Sequence, residues 1–135
     1  MNKTYGILIG NELIKGTSVI PVVNPFTGEP FADVCLADSI EIDKAINLAE
    51  ETFKKTRILP SYQRSLICTE VARGIQDRSD EFSRIIAQES GKPLTYARAE
   101  VARSVSTFEI ASQEALRLDG EMLTLDITES AHGKA

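Results

Sequence analysis

The spacing of apolar residues changes once along this chain, and the change falls at Asp38. Before it, apolar side chains alternate with polar ones or form short runs, which is the pattern of β-strands. After it, they recur every three or four residues, which places them on one side of an α-helix. We therefore predict an α/β fold in which antiparallel strands occupy residues 1–37 and four helices follow.

The strand region has three recognisable parts. Gly10-Asn11 lies in the middle of the apolar segment 7–14, and this pair supplies the positive φ angles of a tight hairpin turn. The next run, 19–23, contains Pro21, which has no amide hydrogen to donate and so favours the edge of a sheet. Side chains then alternate over residues 31–37, where we expect a strand with two partly covered faces.

Capping and helix-breaking residues divide the remainder into four helices. Asp38 and Glu41 have the spacing of a capping box, with Asp in place of the usual Ser or Thr. Pro60 opens the second helix, because a missing N–H costs nothing in a first turn. Gly91 ends the third helix and Pro93 begins the fourth.

The fourth helix is predicted to be the longest, from Leu94 to Leu118, with Gly120 as a left-handed C-cap. Its apolar stripe is long enough that we expect a partner surface. Residues 121–126 are a candidate final strand, and a small, polar tail follows from residue 127. Strands, four helices and one isolated strand make an unusual order for a complete domain, so the architecture is expected to be incomplete.

Composition and charge exclude several kinds of partner. The net charge is −5, so the chain lacks the basic face that nucleic-acid binding requires. Its apolar runs are short, and residues 1–20 show no basic segment followed by an apolar stretch, so we expect neither a membrane span nor a signal peptide. Without a signal, Cys35 and Cys68 are expected to be reduced thiols in the cytoplasm.

Few residues have the setting that catalysis or metal binding requires. Cys68 lies among apolar helix positions and Cys35 in a strand, and neither has a base nearby in sequence, so structural roles are expected for both. The glycines form no G-x-G-x-x-G, and Gly91-Lys92 followed by Pro93 is a helix stop rather than a phosphate loop. The single histidine, His132, lies in the polar tail, and no metal site is predicted.

Several short motifs follow one another in a characteristic order. They are Ile9-Gly-Asn-Glu12, Asn24-Pro-Phe-Thr-Gly-Glu29, Leu59-Pro-x-x-x-Arg64, Glu89-Ser-Gly-Lys-Pro93, Glu100-Val-x-Arg103, and Phe108 with Gly120-Glu121. Together they resemble the amino-terminal part of the NAD(P)-dependent aldehyde dehydrogenase superfamily. The resemblance implies an incomplete amino-terminal part of that fold, with residues 1–37 as a β-strand arm near the oligomerisation region. Residues 38–135 are then the truncated helical start of the NAD(P)-binding domain.

The resemblance also implies a reaction for a full-length relative. A cysteine thiolate attacks an aldehyde, the thiohemiacetal gives hydride to NAD or NADP, and water activated by a glutamate releases the carboxylic acid. The family's nucleophile, base and nicotinamide site lie beyond Ala135, so we assign no catalytic or cofactor-binding residue here. The chain alone is expected to be inactive and to bind no cofactor tightly. The expected partners are a small-molecule aldehyde and further copies of the chain in a homo-oligomer, with neither nucleic acid nor membrane.

Arg103 is the one residue to which the resemblance gives a role, as a substrate-binding residue. In relatives that oxidise phosphorylated or other anionic aldehydes, this arginine can face the substrate entrance, where a guanidinium binds a carboxylate, sulfonate or phosphonate bidentately. The alternative is a surface or inter-helix ion pair, since Glu100 and Arg103 are three residues apart on one helix. For the whole chain, the alternative is a small non-catalytic helical module that pairs with another chain for interaction or oligomerisation.

Overall fold

The computed structural model describes residues 3–118, 120–121, 123–125 and 127–133. Strands come first and helices follow, so the α/β class and the predicted order are confirmed. The elements are β1 (Lys3–Tyr5), β2 (Ile7–Ile9), β3 (Glu12–Ile14), β4 (Ser18–Val23), β5 (Pro30–Leu36), α1 (Ser39–Thr56), α2 (Ser61–Asp77), α3 (Ser79–Ser90), α4 (Leu94–Glu114) and a 3-10 helix (Glu129–Ala131).

The strands form two small sheets. β2 and β3 pair antiparallel around Gly10, which confirms the predicted hairpin; Gly10 has φ 62°, but Asn11 does not share the positive φ expected of it. In the other sheet β5 lies between β1 and β4, so the strand that contains Pro21 is an edge strand, as predicted. β4 is antiparallel to β5, but β1 is parallel to it, with Lys3 opposite Ala32. β1 is therefore the one described strand that departs from the predicted antiparallel arrangement. A parallel pair needs a long connection, and here the hairpin and β4 lie between β1 and β5 in the sequence.

Helix α1 begins as predicted. The Glu41 N–H donates to Asp38 Oδ1 and the Asp38 N–H donates to Glu41 Oε2, both at 2.9 Å, which completes the capping box. The element against which α1 packs is β2, and the Leu48 side chain reaches the hairpin turn. None of the residues of α1 is buried, and Phe53 is 61% exposed. Its apolar stripe is therefore uncovered.

Helices α2, α3 and α4 pack together and form the helical core. α4 lies between the other two and buries Ala97, Val101 and Val105 against them. The facing positions are also small and buried, Ala72 on α2 and Ser83 on α3. Small side chains let helices approach closely at native packing density. The first half of the α4 stripe, where we expected a partner surface, is thus covered by the chain's own helices.

The end of α4 differs from the prediction. The helix ends at Glu114, and its C-cap is Ala115, whose backbone is right-handed. The Ala115 N–H donates to the carbonyl oxygen of Ala111. Gly120 is not among the glycines with positive φ, so the predicted left-handed C-cap is wrong. The stripe residue Leu118 is exposed, so a further helical turn would bury no apolar surface.

The segment after α4 contains no strand among the residues that the structure describes. The predicted strand covers residues 121–126, of which 121 and 123–125 are irregular, while Met122 and Asp126 lie outside the described residues. In the described part of the chain, no helix combines the length and apolar character needed to cross a bilayer.

Candidate functional site

Residues 89–93 form a sharp corner between α3 and α4. Gly91 has φ 68°, and its N–H donates to the carbonyl oxygen of Ala87 at 3.0 Å, so it ends α3 as a left-handed C-cap. Pro93 then holds the extended backbone from which α4 starts. Both positions confirm the prediction from the sequence. The corner fixes the direction in which α4 leaves α3.

Two of the sequence motifs meet at this corner. The segment 24–28 is a compact turn, in which Asn24 Oδ1 accepts the Phe26 N–H at 2.9 Å and Gly28 has φ 73°. Pro25 in this turn lies directly against Gly91, since a Cβ at position 91 would be 2.9 Å from Pro25 Cγ. Only glycine both leaves this space and adopts this φ without strain. The turn and the corner therefore hold each other in place.

Lys92 reaches across the corner to the second turn of α4. Its Nζ lies 2.6 Å from Glu100 Oε2, and the two side chains are only 37% and 38% exposed. The hydrogen bond from Lys92, helped by its charge, lowers the pKa of Glu100 below the ordinary value, and the charge of Arg103 adds a smaller effect in the same direction. Glu100 is therefore ionised at neutral pH and held by Lys92.

Arg103 lies one turn further along α4, on its exposed side. Its side chain makes no hydrogen bond or ion pair with any residue that the structure describes, because Glu100 pairs with Lys92 instead. Tyr96 and Ile110, seven residues to either side, lie on the same helix face and are 69% and 58% exposed. The Arg103 guanidinium thus has no hydrogen-bond partner among the described residues, and the two apolar side chains lie about 10 Å away from it along the helix.

Arg64, which belongs to another of the motifs, has a local role. Its Nη1 donates to the carbonyl oxygen of Leu59 at 2.5 Å, and its Nη2 donates to Ser61 Oγ at 3.2 Å. Arg64 Nε is buried without a partner among the described residues. The arginine therefore braces the start of α2, where Pro60 provides no side-chain cap.

An open groove of about 710 Å³ lies between α2 and α4. At one end the Ser112 hydroxyl lies 2.8 Å from Thr69 Oγ1 and 2.9 Å from Ser65 Oγ, which ties the two helices together. Sequence analysis did not single out these hydroxyls, because they are more than forty residues apart and share no motif. Each already has a protein partner, so the cluster is structural.

The thiols and the histidine lie away from the corner. Cys35 is buried in β5 and Cys68 is half-buried in α2, consistent with the structural roles expected for them. His132 is exposed beside the 3-10 helix. In the described ranges, no three His, Cys, Asp or Glu side chains converge on a position that would hold a metal ion.

Comparison with known proteins links this geometry to one family. The sequence model of the aldehyde dehydrogenase family matches residues 13–133. The 3-sulfolactaldehyde dehydrogenase of Priestia aryabhattai is 31% identical over 119 residues, which is 88% of this chain and 24% of that protein.

Solved structures agree with the sequence comparison. Aldehyde dehydrogenase 21 from Physcomitrella patens, in complex with the reaction product succinate, superposes with a TM-score of 0.93 at 30% identity over 98% of this chain and 28% of its own. The NAD-dependent aldehyde dehydrogenase from Sinorhizobium meliloti gives 0.84 at 25% identity, over 90% of this chain and 25% of its own. The chain spans about a quarter of the length of the proteins it matches.

Proposed function

Because this chain belongs to the aldehyde dehydrogenase family, we propose that it forms the amino-terminal part of an NAD(P)-dependent unit that oxidises an anionic aldehyde to a carboxylic acid. Residues 1–37 serve as the strand arm, and residues 38–135 serve as the helical start of the cofactor-binding domain. The name of the Sinorhizobium meliloti neighbour supports a nicotinamide cofactor. That cofactor would accept the hydride, and no residue of this chain is assigned to it.

The observation that carries the substrate class is the unpaired guanidinium of Arg103. A planar guanidinium binds a carboxylate or sulfonate through two parallel hydrogen bonds. Two relatives support the class through their own names: one acts on a sulfonated aldehyde, and one was solved with the dicarboxylate succinate.

In this proposal the chain positions the substrate rather than transforming it. Arg103 binds the anionic end and thereby holds the aldehyde carbon toward a thiolate supplied by another part of the unit. The nucleophile and the general base lie outside this quarter of the fold, so the isolated chain is expected to have no turnover. We place the unit in the cytoplasm and expect it to form a homo-oligomer.

The test is a chimera in which residues 13–133 replace the matching segment of the Priestia aryabhattai enzyme. Arg103→Ala is expected to raise KM for 3-sulfolactaldehyde about 10- to 100-fold, the loss typical of a hydrogen-bonded charge pair. KM for the neutral aldehyde propanal should stay within about twofold of its starting value, since propanal offers no anion to the guanidinium. Arg98→Ala is the matched control, because this arginine lies on the same helix but faces Asp80 of α3.

Two outcomes would refute the proposal. One is an equal rise in KM for both aldehydes after Arg103→Ala. The other is a folded chimera without turnover, when a chimera carrying the corresponding segment of the Sinorhizobium meliloti enzyme is active. NAD(P)-dependent turnover that follows a species of 14.8 kDa would overturn the expectation that the isolated chain is silent.

A second candidate function is a non-catalytic interaction module, and the uncovered stripe of α1 favours it. Exposed apolar faces of this kind mark surfaces that bind another chain. A module should form one stoichiometric assembly in sedimentation experiments, and Phe53→Asp should dissociate it. A monomer whose sedimentation is unchanged by Phe53→Asp would exclude this alternative.

A further inference from the structure

We propose that Lys92 keeps Arg103 available for an anionic substrate by holding Glu100 away from it. The inference rests on the function proposed above for Arg103 and adds a positioning residue to it. Without Lys92, Glu100 would turn to Arg103 and occupy the guanidinium that the substrate anion requires. Lys92 itself touches neither the substrate nor the reacting atoms.

Other glutamates of this chain pair with a basic residue three positions later. A glutamate followed three residues later by a basic residue lies within pairing distance on a helix. Three such pairs form elsewhere in the structure. They are Glu51 with Lys54, Glu70 with Arg73, and, at the end of α4, Glu114 with Arg117. Glu100 and Arg103 have the same order and spacing, and yet the carboxylate bonds to Lys92.

The Lys92–Glu100 pair is less exposed to solvent than these other pairs. In the three examples both side chains are more than half exposed, whereas Lys92 and Glu100 are little more than one-third exposed. Water and salt therefore screen the Lys92–Glu100 attraction less than they would screen an exposed pair. The corner delivers this ammonium to Glu100, because Gly91 reverses the chain and rests against Pro25. Corner geometry thereby leaves Arg103 unoccupied.

Both cations, Lys92 and Arg103, act on the charge of Glu100. The pKa of Glu100 is lowered mainly by Lys92 and also, less strongly, by Arg103. The carboxylate therefore already lies in the field of the arginine while its hydrogen bond goes to the lysine. Once the lysine is removed, Arg103 remains as a cation whose charge lowers the pKa of Glu100.

Nuclear magnetic resonance on the 135-residue chain tests the exchange of partners directly. The readouts are the Glu100 side-chain carboxyl carbon and the Arg103 Nε–Hε signal, followed from pH 7 to pH 3. In the wild type, the Arg103 signal should not follow the titration of Glu100 closely. In Lys92→Met it should follow that titration, because the two groups are then hydrogen-bonded. Equal behaviour of Arg103 in both proteins would overturn the inference.

Anion binding is tested on the same chain with methanesulfonate as the probe. Lys92→Met should weaken binding at Arg103 about twofold, the effect of one helical ion pair. Lys92→Met/Glu100→Gln should restore it, since Gln leaves the guanidinium unpaired and returns the local charge to the wild-type value. Lys92→Arg should behave as the wild type. If Lys92 acted only by holding the corner together, the double variant would stay impaired, and that result would refute the inference.

Failure of the underlying function gives a different signature. If methanesulfonate shifts the Arg103 signal in no variant, the anionic substrate class is wrong. The pH titration still decides whether Lys92 controls the partner of Glu100. If the probe binds and Arg103→Ala abolishes binding, while Lys92→Met has no effect, the substrate class stands and the role of Lys92 is wrong.

Discussion

The contact between Gly91 and Pro25 predicts unequal costs for two glycine substitutions that share a backbone conformation. Gly91 and Gly28 both have positive φ, at 68° and 73°. Alanine at either position is strained by about 1–2 kcal/mol, since its Cβ approaches the following carbonyl oxygen. The two sites differ in the space around that Cβ.

The difference in space sets the size of the effect. At position 91 the new Cβ would lie 2.9 Å from Pro25 Cγ, whereas at position 28 no atom of the described residues lies within 4 Å. The proline ring cannot swing away as a flexible side chain would, so the turn or the corner must move. Such overpacking costs about 1–3 kcal/mol. We expect Gly91→Ala to lose about 2–5 kcal/mol in total and Gly28→Ala only the backbone share.

Equilibrium urea unfolding followed by circular dichroism measures both losses. Pro25→Ala provides the second half of a double-mutant cycle, because it removes the ring atom that clashes with the new methyl group. In the Pro25→Ala background, Gly91→Ala should cost no more than Gly28→Ala does. Equal losses for the two glycine variants in the wild-type background would refute the argument, since the turn would then not brace the corner.

Three further experiments test the helices. Val101→Ala removes two buried methyl groups from α4 and should cost about 2 kcal/mol in urea unfolding, whereas exposed Ile110→Ala should change stability by less than about 0.5 kcal/mol; similar losses would place the core elsewhere. Gly74→Ala lies in α2, where no atom in the described part of the chain is within 4 Å of the new Cβ. It should raise the free energy of unfolding by about 0.5–1 kcal/mol, and a loss of stability would contradict this expectation. Arg78→Gln removes the hydrogen bond that lowers the pKa of Glu81, so that pKa should rise toward its ordinary value of 4.5 in a carboxyl titration. Because the folded-state pKa is lowered, any stabilisation by this pair is present above about pH 4.5 and is lost as the pH falls through the folded value. The stabilities of the two proteins should therefore converge in acid, and a constant difference would contradict the pairing.

Features encoded within a few residues were predictable from the sequence. The capping box at Asp38, the hairpin at Gly10 and the left-handed stop at Gly91 each depend on one backbone conformation and on partners at most four residues away. The edge position of Pro21 follows from a missing donor. In each case the chemistry that selects the structure is carried by the residue itself, so no tertiary information is needed.

Features that depend on distant partners were not predictable. The parallel pairing of β1 requires Lys3 to meet Ala32, and nothing near Lys3 specifies that register. α4 ends at Glu114 rather than near Gly120, and the Leu116 and Leu118 side chains beyond it are exposed, which residue spacing alone does not reveal. At the candidate site, sequence spacing suggested the wrong partner for Glu100, because the competing lysine approaches around a corner whose geometry only the fold supplies. The role of Arg103 came from resemblance alone and stays a prediction.

Because of where α1 packs, it is expected to unfold at a lower free energy than the other three helices. α1 packs on the hairpin strand β2, whereas α2, α3 and α4 pack on one another. Segments with few buried contacts open at lower free energy than the core and exchange their amide hydrogens sooner. Amide exchange should therefore release α1 as a separate cooperative unit while α4 stays protected. Local unfolding of α1 exposes the hairpin but leaves the corner, Lys92 and Arg103 folded. The candidate site is therefore expected to remain intact after α1 has unfolded.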